Sequence, residues 1–416
     1  MENKTINITI VNAHWNNRGD EAALFAFLEG LQQIYDNCRI TILIKDGKSV
    51  VQFPEMKGVT CFPAKFNAKP WYIWLSALTG GHIGRNVFLN KTIKTLRKSD
   101  LIIYSPGGSV INDRFFWSKQ MEYLIPFICA KLYRIPLFVA APSIGPFDTE
   151  KPNRIREWLL KTPKITCVRE DISRKYLEQI NIQKNVHVTM DLAFMNGIDS
   201  SSNEKKLEKY SALKDFFNSH DKVVGFTLTD FKWHINLRND LELLARIEDT
   251  FQKYIRMLEA KGYGVLLIPQ LFGNQNDRDY LKRYCSENTF LMNDTMDTYF
   301  QQYIISLLYA VIGMRYHPNI FAAKMGTPFV AVVYEEKMEG FLELAHLKDY
   351  SIPLSDLCFK KLDEKFIRVE QNHESIKHKL QENSAAWREK AGKTLELLAS
   401  MEIVLSSTQG HTYADR

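Results

Sequence analysis

Arg315 and His317 stand two residues apart in a block that reads Gly313-Met314-Arg315-Tyr316-His317-Pro318-Asn319. A guanidinium is a permanent cation, and an imidazole exchanges its proton near neutral pH. The apolar run Leu307–Ile312 predicts a strand leading into this pair. Pro318 predicts the first position of a helix that Gly326 ends, and Phe329–Val333 predicts a second strand. On this reading Arg315 and His317 lie in an extended segment, project to one side, and His317 caps the helix. A cation, a titratable ring and a helix N-terminus together describe an anion site with an acid or base beside it. A histidine that only caps a helix is the alternative.

Other segments could do related chemistry. Asp20 and Glu21 follow Asn17-Arg18-Gly19 at the start of a predicted helix. Carboxylates there are favoured by the helix dipole, so either they cap or they bind hydroxyls of a ligand; they would repel a phosphate. His14 and Asn17 belong to the same loop and are weaker acceptor-side candidates. Gly107-Gly108-Ser109 follows the apolar strand Leu101–Tyr104, where glycines let a ligand approach the backbone and Ser109 can donate a hydrogen bond. Asp113, four residues on, is a further acceptor-binding candidate. Arg169, beside Glu170 and Asp171, is either a second anion-binding arginine or a salt-bridged structural one. Gln270 follows Pro269 after a strand of the second half and is a candidate to face the cleft.

These segments resemble one family, the polysaccharide pyruvyl transferases. Its pattern near the start, N-x-G-D-E-A, is matched by Asn17 to Ala22. Its G-G-G-S is matched by Pro106-Gly107-Gly108-Ser109, with proline in place of the first glycine. Arg169-Glu170-Asp171-Ile172-Ser173 is similar to its R-D/E-x-x-S, and Asp191-Leu192-Ala193-Phe194 to its D-P-A-F, with leucine in place of proline. The Gly313–Phe329 block is similar to its G-M-R-x-H, F-A-A and G-x-P run. The resemblance implies transfer of the enolpyruvyl carbons of phosphoenolpyruvate to a sugar, usually as a pyruvate ketal, with release of phosphate and no cofactor or metal. It implies His317, Asp20 and Glu21 in catalysis and Arg315 and Arg169 on the donor. Lys337 matches a lysine the family often carries, which could pair with phosphate; an exposed loop lysine is the other reading. The implied acceptor is a bacterial surface polysaccharide or its precursor, with an undecaprenyl-diphosphate-linked oligosaccharide as one form.

The elements that must position these residues alternate between strand and helix patterns throughout, which predicts parallel βαβ units. The fold class expected is therefore α/β, two doubly wound Rossmann-like domains with a cleft between them, glycosyltransferase-B-like. Ligands in such sheets bind at the carboxyl ends of strands, where each motif falls. The expected division is an acceptor-side domain over 1–198, a serine- and lysine-rich linker over 199–221, a donor-side domain over 222–369, and a helix packing back plus tail over 370–416.

At 416 residues, 45% hydrophobic and 25% charged, the composition is that of a soluble globular protein with two domains. A net charge of +6 suits anionic partners, and no nucleic-acid signature accompanies it. The six cysteines are scattered without a C-x-x-C pair, which argues against a zinc ribbon or a disulfide framework. Met1 leads directly into a predicted strand, and no apolar run reaches membrane-spanning length, so a cytoplasmic location is expected. Aromatic and aliphatic residues of Phe66–Asn90 are bordered by lysines and arginines through residue 98, which suits either a membrane headgroup interface or an insertion packed on the domain. Glu335 and Glu343 have the E-x7-E spacing of many retaining glycosyltransferases, which keeps a nucleotide-sugar glycosyltransferase as a competing reading; an inactive assembly scaffold is the third.

Overall fold

The computed structural model describes residues 5–14, 17–44, 56–64, 68–83, 86–107, 111–113, 117–232, 234, 237–272, 276–293 and 296–401. Among them, seven strands build a first sheet: β1 (Ile6–Ala13), β2 (Cys38–Ile44), β3 (Val59–Pro63), β4 (Leu101–Tyr104), β5 (Leu137–Val139), β6 (Ile165–Val168) and β7 (Val186–Val188). Six build a second: β8 (Val223–Thr227), β9 (Gly264–Leu267), β10 (Thr289–Leu291), β11 (Ala310–Gly313), β12 (Phe329–Val333) and β13 (Ser351–Pro353). All neighbouring strands in both sheets are parallel.

The spatial orders are β3-β2-β1-β4-β5-β6-β7 and β10-β9-β8-β11-β12-β13. Each order reverses once, between β1 and β4 and between β8 and β11. The crevice at such a reversal, outside the strand carboxyl ends, is where doubly wound sheets bind ligands. Every residue of β4, β8, β11 and β12 is buried, which is why these strands read as unbroken apolar runs.

The first half carries helices α1 (Arg18–Ile34), α2 (Pro70–Leu78), α3 (Val87–Arg97), α4 (Trp117–Tyr133), α5 (Arg154–Leu160) and α6 (Asp171–Gln179). Residues 199–221, read from sequence as a linker, instead hold α7 (Ser200–Lys209) and α8 (Ser211–Asn218). The serine run there is a helix start: the Asp199 side chain accepts from Ser202 N at 3.0 Å. The remaining helices are α9 (Leu241–Ala260), α10 (Asp277–Leu281), α11 (Thr298–Ser306), α12 (Tyr316–Met325), α13 (Glu336–Leu344), α14 (Phe359–Gln371) and α15 (His373–Ala399).

The two sheets are stitched together at α1. Arg18 N donates to Gln270 O at 3.1 Å, and Thr298 Oγ1 donates to Arg18 O at 2.8 Å. Helix α15 returns across the molecule: Trp387 packs on Phe194, Thr394 Oγ1 bonds Thr189 Oγ1 at 2.8 Å, and Leu398 enters the core beneath β1 and β2. Among the described residues no helix is long and apolar enough to cross a membrane.

Candidate active site

Helix α12 begins one residue earlier than its proline suggests. Arg315, extended at φ −85° and ψ 147°, is the cap, and Tyr316, His317 and Pro318 form the first turn. Proline is tolerated there because first-turn N–H groups have no intrahelical partner. The consequence is that Arg315 and His317 do not share one side of an extended segment. Arg315 turns into the second domain and pairs with Asp277 at the start of α10. His317 faces the first domain.

What His317 meets is the opening turn of α1. A Cβ placed on Gly19 would lie 1.8 Å from His317 Cγ, so any side chain larger than hydrogen at 19 would displace the imidazole. The same turn carries Asp20 and Glu21, and it is held by Asn17, whose side chain accepts from Gly19 N at 2.9 Å. Behind His317 stands Asp191, whose Oδ2 lies 3.7 Å from His317 Nε2. The same Oδ2 accepts from Arg169 Nη1 at 2.7 Å, while Oδ1 caps the 3-10 turn Leu192–Met195 through Ala193 N at 2.9 Å. Arg169 Nε donates to Ser143 Oγ at 2.8 Å, and its guanidinium lies over the Tyr316 ring at 4.3 Å. Lys337, in the first turn of α13, approaches the same ring at 5.8 Å and pairs with Glu335 at 2.6 Å. Ser143, Glu170 and Ser173 on one side and Glu335 and Lys337 on the other line a cleft between the domains.

Two buried nitrogens in this group make no hydrogen bond among the described residues: Arg169 Nη2 and His317 Nε2. Arg169 is 2% exposed and His317 6%. Leaving buried polar nitrogens unsatisfied is costly, so their position beside a cleft marks a place for a ligand.

Burial sets the protonation of the group. It drives His317 down to about 3; Asp191 opposes this, and Arg169 and Lys337 reinforce it. The free site therefore holds a neutral imidazole, whereas an unperturbed pKa had been expected from the residue type. Burial raises Asp20 to about 6 against the pull of Arg169 and Lys337, and raises Glu21 to about 7 against Arg18. Burial works against the charge on Arg169, but Tyr316, Asp191 and Glu170 outweigh it and hold the cation firmly.

A model of the polysaccharide pyruvyl transferase family matches residues 17–336, more than three quarters of the chain. The chain belongs to that family. Among characterised relatives, the amylovoran biosynthesis protein AmsJ of Erwinia amylovora is 22% identical over 413 residues, covering 90% of this chain and 94% of that protein. In fold, the chain is similar to UDP-GlcNAc 2-epimerase from Neisseria meningitidis bound to UDP-GlcNAc (TM-score 0.60, 13% identity, 95% and 99% of the two chains covered). It is also similar to a ugt transferase from Siraitia grosvenorii in complex with UDP (TM-score 0.53, 11% identity, 95% and 99% covered). These likenesses establish the glycosyltransferase-B-like architecture.

Within this pyruvyl transferase the other expected site residues fall in several places. Gly107, at φ 146°, comes close to the cluster: a Cβ there would lie 3.3 Å from Asp20 Oδ1. Gly108 and Ser109 lie outside the described residues. Glu21 turns to Arg18 at 2.7 Å. Gln270 donates to Gln301 at 2.6 Å in the seam between domains. His14 is half-buried beyond the end of β1. Asp113, expected as an acceptor ligand, pairs with the fully buried Arg156 and accepts from Asp148 N at 2.6 Å. Glu343, the second half of the E-x7-E spacing, is an exposed partner of Lys348 at 3.3 Å.

Three contributors had no assigned role in the sequence reading: Gly19, Asp191 and Tyr316. Gly19 and Asp191 lie inside motifs that were visible, but only the fold shows that they press on or hold His317. Among the described residues no group of three or more His, Cys, Asp or Glu side chains could hold a metal ion.

Proposed function

We propose that this pyruvyl transferase moves the enolpyruvyl group of phosphoenolpyruvate onto two hydroxyls of a sugar, forming a pyruvate ketal and releasing phosphate. The sugar belongs to a bacterial surface polysaccharide or its lipid-linked precursor, met on the cytoplasmic side. The observation that carries the reading is the convergence of Arg169 and Lys337 on the Tyr316 ring, with His317 beside that ring and Asp20 within electrostatic reach of both cations.

The donor anion lies between Arg169 and Lys337, where the unpartnered Arg169 Nη2 completes its hydrogen bonding. Arg315, held by Asp277, adds positive potential from the second domain. The arriving anion raises the pKa of Asp20 further, so its carboxyl is protonated and can deliver a proton to C3 of the enol. Neutral His317 takes the proton of the attacking hydroxyl as its oxygen bonds to C2. The second hydroxyl then attacks C2 and the C2–phosphate bond breaks. Of the two hydroxyl protons, one is balanced by the proton placed on C3 and one leaves with phosphate. The glycine turn at Gly107 faces the Asp20 side, which supports a sugar bound against the first domain.

The test is incubation of the purified protein with phosphoenolpyruvate and a panel of lipid-linked glycans, following phosphate and glycan mass. Acceptor-dependent phosphate release with a mass gain of one pyruvate less water is the expected result. Turnover of a nucleotide sugar instead, with phosphoenolpyruvate untouched, would overturn the proposal.

A further inference from the structure

Helix α2 is apolar on two opposite faces. Its inner face, Ile73, Ser76 and Ala77, is buried against the domain. Its outer face carries Trp71, Leu75 and Leu78, exposed at 63%, 39% and 66%. The spacing of four and three residues makes them one helical stripe that points at solvent. Helix α3 continues the surface. Val87 and Phe88 are exposed at its start, and Lys91, Lys94 and Lys98 form a basic stripe on its outer face. The apolar strip also extends through Trp74, 6.4 Å from the half-exposed Trp158 of α5, whose ring carries Lys131 at 4.3 Å.

The charge around this platform is one-sided. The chain has 54 Lys and Arg against 48 Asp and Glu. Eight of those bases and none of the acids lie between Met56 and Ser99, so the remainder of the chain holds 46 against 48, a net of −2. The whole positive excess of the protein is thus concentrated in one segment. A second copy of this chain would bring the same positive surface and be repelled. An anionic lipid bilayer offers both things the platform lacks, negative headgroups for the lysines and an apolar layer for Trp71, Leu75 and Leu78.

We propose that α2 and α3 dock the protein on an anionic lipid surface, with the outer stripe of α2 inserted and the lysines of α3 on the headgroups. Helix α2 starts seven residues after β3 ends at Pro63, on the carboxyl edge of the first sheet, the edge that bears the active site. Docking therefore deepens the proposed function, since it brings that edge toward a lipid-linked acceptor, but it is measured without any substrate.

The experiment is co-sedimentation of the full chain with vesicles of phosphatidylcholine alone and of phosphatidylcholine with phosphatidylglycerol. Wild type is expected to bind the anionic vesicles, to be released by salt, and to bind the neutral ones poorly. Each headgroup-facing lysine contributes about fivefold, so Lys91→Ala, Lys94→Ala and Lys98→Ala together reduce partitioning by about a hundredfold. Trp71→Ser with Leu75→Ser and Leu78→Ser sharply reduces binding to the anionic vesicles at low salt. All six side chains are exposed, so thermal unfolding of both variants should match wild type. Equal sedimentation of wild type and both variants, or binding that ignores lipid charge, overturns the proposal. So does a dimer in sedimentation velocity that the α2 variant dissolves, which would assign the face to a second copy. Vesicle binding without pyruvyl transfer would instead count against the proposed reaction while leaving the docking surface standing.

Discussion

Two buried arginine–aspartate pairs flank the site, and they differ in what surrounds them. Arg315 and Asp277 lie wholly within the second domain, where Asp277 also accepts from the backbone N–H groups of Gln270 and Leu271 at 3.2 and 2.9 Å. That pair ties the β9 loop to the front of α12. Arg169 and Asp191 lie in the first domain but face out of it. Arg169 stacks on Tyr316 from the other domain, Asp191 reaches toward His317, and Arg169 Nη2 has no partner among the described residues. The first pair stays within one domain, with Tyr334 and Glu335 also acting on Arg315, whereas the second reaches across to the other domain.

The largest effect expected from this contrast is on stability. Asp277→Ala removes the carboxylate paired with the buried Arg315, which costs about 3–5 kcal/mol in urea denaturation, and Asp191→Ala costs less because Glu170 stays 3.4 Å from Arg169. If Asp277→Ala left stability unchanged, Arg315 would not be held by that pair and would be available to the donor. Next in size are losses of turnover. His317→Ala should lower kcat by about a hundredfold or more, the usual scale of acid–base help. Gly19→Ala should approach that loss without removing any functional group, because its Cβ would overlap the imidazole. Near-normal rates in both would remove His317 from the chemistry.

A direct test of the contrast is the conservative pair of variants. Arg169→Lys should weaken phosphoenolpyruvate binding by about tenfold by calorimetry, the value of one charge-assisted hydrogen bond, and Arg315→Lys by less. Equal losses would place both arginines on the donor. A subtler readout is the His317 ring itself by NMR. With a pKa of about 3 it stays neutral on acidification to about pH 5. Arg169 is one of the charges that depress it, so Arg169→Gln should move the titration upward, while Arg315→Gln should not. The linkage has a definite sign. The unfolded imidazole takes its proton near 6.5 and the folded one near 3, so this group's stabilisation is complete above 6.5 and is lost as pH falls toward 3. The smallest effect is expected at the exposed Glu343, where Glu343→Gln should change stability by about 1 kcal/mol or less and leave turnover intact. A collapse of activity there would revive the nucleotide-sugar reading.

Much of this protein was determined locally, and that part was legible in the sequence. The strands Leu101–Tyr104 and Phe329–Val333 occupy the ranges their patterns predict, because β-branched and apolar runs act over a few residues. Gly326 ends α12 in the left-handed conformation, as its place in the motif implied. Motif order alone placed Asp20, Arg169 and His317 beyond strand ends, hence near one cleft. What only the tertiary structure decided are the long-range partners. Arg169 finds Asp191, Arg315 finds Asp277 and Arg156 finds Asp113 across separations of 22, 38 and 43 residues, and no local rule chooses among so many carboxylates. The same packing buries His317 and sets its neutral state, pairs Asp113 with Arg156, and turns the serine-rich stretch near 200 into a capped helix. Ion pairing and burial depend on which surfaces meet, and that is settled by the folded sheets rather than by neighbours in the chain.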